Sequence, residues 1–585
     1  MRRNIQGPTF VVSACAALVL WAANVTGQDA RGQSASTPTT KAGDSKAGDS
    51  KSKGPVVPDY NLPQVRQINQ HIRQVCMDLQ LSPSPHATDG EWCRRVFLDI
   101  IGRVPSVQEL RDYLNSKEAD KKPKLVAKLL NDETYQEEYA RNWTTIWTNI
   151  LIGRNGGLED RTLTSREGMQ KYLRDSLARD KPYDQMVYEL VTAKGGTTPG
   201  STNFNGATNF LIMKLDENAA QATAMTSKIF LGMQVQCTQC HNHPFNEWKQ
   251  QKFWEFNAFF RQTRALRTFV PGTRRIESAE LVNQDFAGEN NEPSEAILFY
   301  ELRNGLLQSA YPVFVDGTEI SKSGHLSDCD RRTELGKLII RSPFLGKTMA
   351  NRMWQHFLGY GFSKPIDDLG PHAQVSHPAL LDYLGEEFSK SSHNIKELMR
   401  WIVLSEAYAL SSRGTGGNKA DDPLLGESPK FTHFYLRQMR AEELYESLLV
   451  ATQAHKSRGG SYEEQEKLKA EWLKQFTLAF GTDEGDESTT FNGTIPQALM
   501  MFNGDLVKKA INSDKGSFVN VVANSNMSPP NKIEYLFEAA LARRPNNNEI
   551  GIANQLVVAR KGDPAGALQD IFWAVLNSNE FILQH

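Results

Sequence analysis

Cys237-Thr238-Gln239-Cys240-His241 places two thiols and an imidazole within five residues. The chemistry that needs this C-x-x-C-H spacing is c-type haem attachment. Two sulfurs about one helical turn apart reach the two vinyl groups of a porphyrin, and the adjacent imidazole ligates the iron. On that reading Cys237 and Cys240 are the thioether anchors and His241 is the proximal ligand. Two other chemistries fit the same residues. Zinc could take both thiolates with His241 or His243, and an oxidising compartment could close a Cys237–Cys240 disulfide or leave a reduced pair with no ligand. Haem is the expectation carried forward, with zinc or no cofactor as the alternative.

The sixth position on such an iron is not supplied nearby. No Met stands between Met233 and Met349, so the candidates are His325, His356, His372, His377, Met349 and Met353, or the iron is five-coordinate. His356, His372 and His377 are the foremost distal candidates. His243 is too close in sequence to His241 to reach the opposite face of a haem, and reads as a structural partner alongside Pro244. Phe245, Trp248, Phe253, Trp254, Phe256, Phe259 and Phe260 follow the motif at helical spacing, which fits a core stripe better than a haem wall. A second polar cluster gathers Asp367, Asp368, His372 and His377. It could hold a metal, but the structural reading is stronger: Ser376 as an N-cap, Pro378 in the first turn, and the two carboxylates accepting backbone N–H groups. No nucleotide-binding loop, G-x-S-x-G or H-E-x-x-H is present, and no catalytic residue is assigned.

The elements that must position these residues are mostly helical. Val65, Ile68, Ile72 and Val75 recur at helical spacing, Ser106 has the form of an N-cap, and helices are expected over 122–131, 133–151, 165–179, 183–193 and 217–236. The β-prone runs 297–303 and 311–315 predict a hairpin. Helical periodicity resumes at Glu334, with the clearest apolar stripe at Ile395, Leu398, Met399, Ile402 and Val403. Helices over 436–453, 531–542 and 565–580 follow, with Gly/Ser-rich breaks at 411–424 and 481–495. The expected fold is mostly α: a multi-helical two-domain body with a small β-rich insertion between the helical halves.

The N-terminus reads as an address. Arg2 and Arg3 precede an apolar stretch from Thr9 to Ala23, and Val25 and Gly27 suit signal peptidase. Residues 1–27 are therefore expected to be a cleaved signal peptide and the protein periplasmic or secreted. Residues 28–57, with the repeated Lys-Ala-Gly-Asp-Ser at 41–45 and 46–50, read as a disordered linker. The remaining segments are 58–262, 263–335 and 336–585: a helical domain carrying the motif, a variable segment, and a helical C-terminal domain. With 66 basic against 68 acidic residues, the 585-residue chain is not a generally cationic nucleic-acid binder. No stretch after residue 27 is apolar enough to span a membrane. The expected partner is an extracytoplasmic redox protein.

Cys76 and Cys93 lie 17 residues apart, with Ser82, Pro83, Ser84 and Pro85 between them. Two antiparallel helices joined by that turn would bring them within disulfide reach in an oxidising compartment.

Longer stretches carry a resemblance. The run from Leu231 to Phe245 (LGMQVQCTQCHNHPF) and the run from Arg94 to Pro105 (RRVFLDIIGRVP) resemble the planctomycete cytochrome-C-like domain of unknown function. Asn351-Arg352-Met353-Trp354, Pro365 to Gly370 (PIDDLG), Ser376-His377-Pro378 and Leu576 to Phe581 (LNSNEF) are similar to its usual partner, the planctomycete-specific C-terminal domain of unknown function. The resemblance covers roughly 64–262 and 336–585. It implies a secreted class in which haem is suspected and no activity is established. Cys76 and Cys93 depart from its pattern. The function expected is an exported protein with a covalent c-type haem, serving electron transfer or redox catalysis; the alternative is a non-redox secreted binding or scaffold protein stapled by zinc or a disulfide.

Overall fold

The computed structural model describes residues 58–159, 162–243, 248–273, 276–456, 461–481 and 494–585. The expected signal peptide and linker lie outside the described residues, as do Pro244, Phe245 and most of the Gly/Ser-rich break at 481–495. Helices take 57% of the described residues and strands only a few short pieces, which settles the class as mostly α with small β elements. No helix among the described residues is long and apolar enough to cross a membrane.

Local chemistry fixes where the early helices start. Thr88 and Glu91 cap Asp89–Ile101 reciprocally, and Ser106 and Glu109 do the same for Val107–Asn115. Glu109 does more than cap, because it also accepts from the Tyr135 hydroxyl and pairs with Arg103, which bridges to Glu138 on Glu133–Ile152. One side chain thus joins a cap, a turn and a third helix.

The two halves of the chain share one large apolar cluster. One cluster of buried residues runs from Val65 through Phe260 to Tyr435. The helix Pro343–Leu358 packs on Asp216–Leu231 from the first half and on Pro378–Lys390 from the second. The helix Pro63–Asp78 lies against Pro378–Lys390, Ile395–Val403 and Glu406–Ala409. A second cluster, from Met439 to Phe581, gathers the last helices and takes in Leu98 and Val104. Every residue of the 395–403 stripe named above is buried.

Between the clusters sits a buried ionic knot. Asp99 is fully buried, accepts from the Tyr408 hydroxyl at 2.6 Å and pairs with Arg437, while the Asp99 carbonyl meets His356 Nε2 at 3.2 Å. Arg437 also holds Gln584, on a strand, Leu583–Gln584, that pairs antiparallel with Arg437–Gln438.

The β content differs from expectation in two places. The hairpin pairs Leu298–Glu301 with Leu307–Ala310 rather than with 311–315, because Pro312 has no N–H to give a ladder. A three-stranded sheet adds Thr263–Phe269 and Ile276–Asn283, with Gly195–Gly196 on the far side of the latter. The strand Thr263–Phe269 is mostly exposed, so its sequence carries no inward-facing alternation to read.

Candidate functional site

The helix Asp216–Leu231 delivers the motif, starting one residue before the expected 217 and ending well short of 236. Its first turn is left-handed at Glu217, Asn218 and Ala219, an arrangement costing about 1–2 kcal/mol per residue. Asn257 Nδ2 steadies it by donating to the Asn218 carbonyl at 2.8 Å. The helix stops at Gly232, whose φ of 62° is left-handed. A Cβ at Gly232 would stand 2.8 Å from Thr348 Oγ1 and 3.1 Å from Leu369 Cδ1, so the second half of the chain closes on this turn only because it is glycine.

The motif itself is a 3₁₀ turn, Gln236–Gln239, followed by Cys240. Thr238 is fully buried and bonds back to the Val235 carbonyl through both its N–H, at 2.9 Å, and its Oγ1, at 2.6 Å. With Thr238 inward, Cys237 and Cys240 face outward, and both are exposed, separate thiols. The Gln239 carbonyl accepts from Gln250 Nε2 at 3.2 Å and Trp254 Nε1 at 3.1 Å, two residues on one face of the helix Gln250–Asn257. That helix is backed by the inserted hairpin, since Gln250 also donates to the Glu301 carbonyl and Trp254 stacks on Tyr300. Phe253, Phe256, Phe259 and Phe260 are buried core, as their spacing indicates.

His241 is half-buried, with Nδ1 2.6 Å from the Asn242 carbonyl. A carbonyl at Nδ1 takes the ring proton there and leaves Nε2 as the lone-pair nitrogen for a metal. His243 N–H donates to the Trp248 carbonyl at 2.8 Å, and Asn242 Oδ1 accepts from Gln250 N–H at 3.0 Å. Two outward thiols, one turn apart, and an imidazole of this tautomer fit the donor set of a c-type haem. Among the described residues, no group of three or more His, Cys, Asp or Glu side chains is arranged to hold a metal ion.

The second half of the chain lies against this segment. Leu369 N–H donates to the Gly232 carbonyl at 2.6 Å, and Asp367 takes Gln234 Nε2 at 2.7 Å and Lys228 Nζ at 3.0 Å. His372 lies with its ring centroid 5.7 Å from that of His243, and its Nε2 is 2.9 Å from Asp368 Oδ2. A cleft of about 850 Å³, walled by Met233, Trp248, Lys252, Phe344, Leu369 and Pro371, runs beside this junction. Its size is in the range of small-molecule sites.

The remaining candidates are placed elsewhere. His356 is held between the Asp99 carbonyl and the rings of Trp143 and Phe357, where burial keeps its pKa well below the usual value. His377 is buried against Phe362 and Phe431, its Nδ1 3.0 Å from Ser376 Oγ; burial lowers its pKa to about 4, against the opposing pull of Asp421. It also occupies the N-cap position of Pro378–Lys390, which the sequence assigns to Ser376. Met349 and Met353 are buried core, and His325 sits on the surface beside Asp285. The polar cluster therefore divides. Asp368 and His372 meet, Asp367 turns to Gln234 and Lys228, and His377 is apart.

Cys76 and Cys93 are free, buried thiols in place of the expected disulfide. The hairpin that bridge requires does not form, because Pro63–Asp78 packs on helices of the second half instead. Burial pushes the Cys76 thiol up to about 11 and that of Cys93 further still.

Gly232, Gln234 and Gln250 shape the site without having been singled out by their chemistry, and Trp254, read only as part of the aromatic stripe, also donates to the motif turn. Only the i, i+4 spacing of Gln250 and Trp254 hinted at a shared task.

Two family models match the chain in N- to C-terminal order. Residues 67–265 match a protein of unknown function (DUF1549), named PSCyt2, and residues 331–557 match a protein of unknown function (DUF1553), named PSD1. No curated protein and no solved structure matches the chain.

Proposed function

We propose that this chain, a PSCyt2 domain followed by a PSD1 domain, is an exported c-type haem protein that exchanges electrons with an extracytoplasmic partner. The observation that carries the reading is the orientation of the motif. Buried Thr238 turns Cys237 and Cys240 outward, one turn apart, and the Asn242 carbonyl sets the His241 tautomer. Cys237 and Cys240 present their sulfurs for thioether bonds, and His241 presents Nε2 to iron. Gln250 and Trp254 fix the Gln239 carbonyl, so both cysteines keep their spacing through the turn between them. Haem held there supplies a one-electron couple. The N-terminal signal read from the sequence supports the same function, because covalent haem attachment takes place outside the cytoplasm.

The test is acid-acetone extraction followed by a pyridine haemochrome spectrum, on full-length protein made with a c-type maturation system. Haem should stay with the protein through extraction. Replacing both Cys237 and Cys240 with Ala should release it, while His241→Ala should leave it attached with an altered iron spectrum. A colourless mature protein would end this reading.

A further inference from the structure

We infer that His372, held by Asp368, is a positioning residue of the motif loop: its imidazole packs on His243 and so fixes, from the PSD1 domain, the segment that carries His241. The inference rests on the haem reading above and adds to it that the second domain belongs to the site.

Four observations meet at this junction. The His243 and His372 rings lie 5.7 Å apart at an interplanar angle of 30°, close to parallel. Asp368 uses both oxygens to hold its own loop, Oδ2 at 2.9 Å from His372 Nε2 and Oδ1 accepting Gly370 N–H at 3.2 Å. Gly370 leaves room for the ring: a Cβ there would stand 2.8 Å from His372 Cε1 and 3.0 Å from Nδ1. Leu369 and Asp367, just before this loop, bond to Gly232, Gln234 and Lys228 on the approach to the motif. The loop 367–372 therefore grips the motif segment on both sides of Cys237.

This arrangement gives His372 a positioning role. Nε2 faces Asp368, the Cε1 edge of the ring lies against Gly370, and the ring stands near-parallel to that of His243, so a ring face is turned to the His243 imidazole. A stacked ring of this kind orients its neighbour. His243 is two residues from His241, and its N–H is bonded to the Trp248 carbonyl, so a shift of the His243 ring is passed along a short, tethered backbone to His241. The orientation of an axial imidazole and the groups around it tune a haem's spectrum and potential.

The experiment uses the full haem-loaded chain with His372→Ala, His372→Phe and Gly370→Ala, reading haem content, ferric EPR g-values and midpoint potential. Haem content should match the parent in all three. His372→Ala and Gly370→Ala should both change the g-values and shift the potential, and His372→Phe, which keeps a ring, should recover at least half of the shift. Gly370→Ala alters neither imidazole, so it decides the matter if His372→Ala does not accumulate. Parent-like g-values and potential in both Ala variants would overturn the inference and leave the haem reading intact. A change from low-spin to high-spin iron in His372→Ala and His372→Phe alike would overturn it differently, by making His372 an axial ligand. A parent protein without haem would remove both claims.

Discussion

Thr238 is the residue on which the motif's orientation turns. Its side chain is the one member of Cys237-Thr238-Gln239-Cys240 wholly inside the protein, and its hydroxyl closes the turn on Val235. Thr238→Val keeps the shape and removes that bond, so it should cost about 0.5–1.5 kcal/mol in urea denaturation. The same inside-outside division predicts thiol chemistry. In protein made without haem, Cys237 and Cys240 should react with a thiol reagent in the native state, while Cys76, Cys93 and Cys329, all buried, should react only on unfolding. Thiol counting in denaturant without reductant checks the cysteine assignment, since a Cys76–Cys93 bridge would withhold two of these thiols. At this scale the sequence was partly legible. C-x-x-C-H announces itself by spacing, whereas the pairing of His372 with His243 spans 129 positions and depends on a shared core, which no local pattern records.

Among the elements, the cap of Val107–Asn115 joins local and tertiary structure. Burial alone would raise the Glu109 pKa, but hydrogen bonds and charge from Arg103, together with the backbone and hydroxyl of Ser106, outweigh it and hold the carboxyl down at about 2, against an ordinary 4.5. A pKa depressed by folding stabilises above the unfolded value and is lost as pH falls through the folded one. Glu109 should thus contribute on the order of 3 kcal/mol at pH 7, fading between about pH 4.5 and pH 2. Comparing urea stability of the parent and Glu109→Gln at pH 7 and pH 3 checks this, with a gap that narrows as acid is added. Helices with one buried face, such as Ile395–Val403, were readable because packing imposes the 3.6-residue period on their sequence. The strand Thr263–Phe269 was not, because a strand with no buried face leaves no period.

For the whole molecule, the boundary between the matched domains is not a boundary in the core. Helices from both halves bury one continuous cluster, and Asp99 from the first half is satisfied by Tyr408 and Arg437 from the second. Asp99→Ala would leave a buried guanidinium and a buried hydroxyl without their shared partner, and should cost roughly 3–5 kcal/mol. Calorimetry should show the whole shared-core transition moving to lower temperature; a shift confined to a separate N-terminal transition would contradict the shared core. Sequence composition marked two helical halves, and only the search for a sixth ligand among His356, His372 and His377 pointed from one half to the other; the shared core itself left no sign, because a residue buried against its own half and one buried against the other look alike in one dimension.

The motif's place at this junction makes the haem the claim on which the functional account depends. Intact-mass spectrometry of the mature, full-length protein under denaturing conditions tests it most directly. The denatured polypeptide should carry the added mass of one haem, and the addition should disappear when Cys237 and Cys240 are both replaced with Ala. A matured, exported chain at the bare polypeptide mass would contradict it.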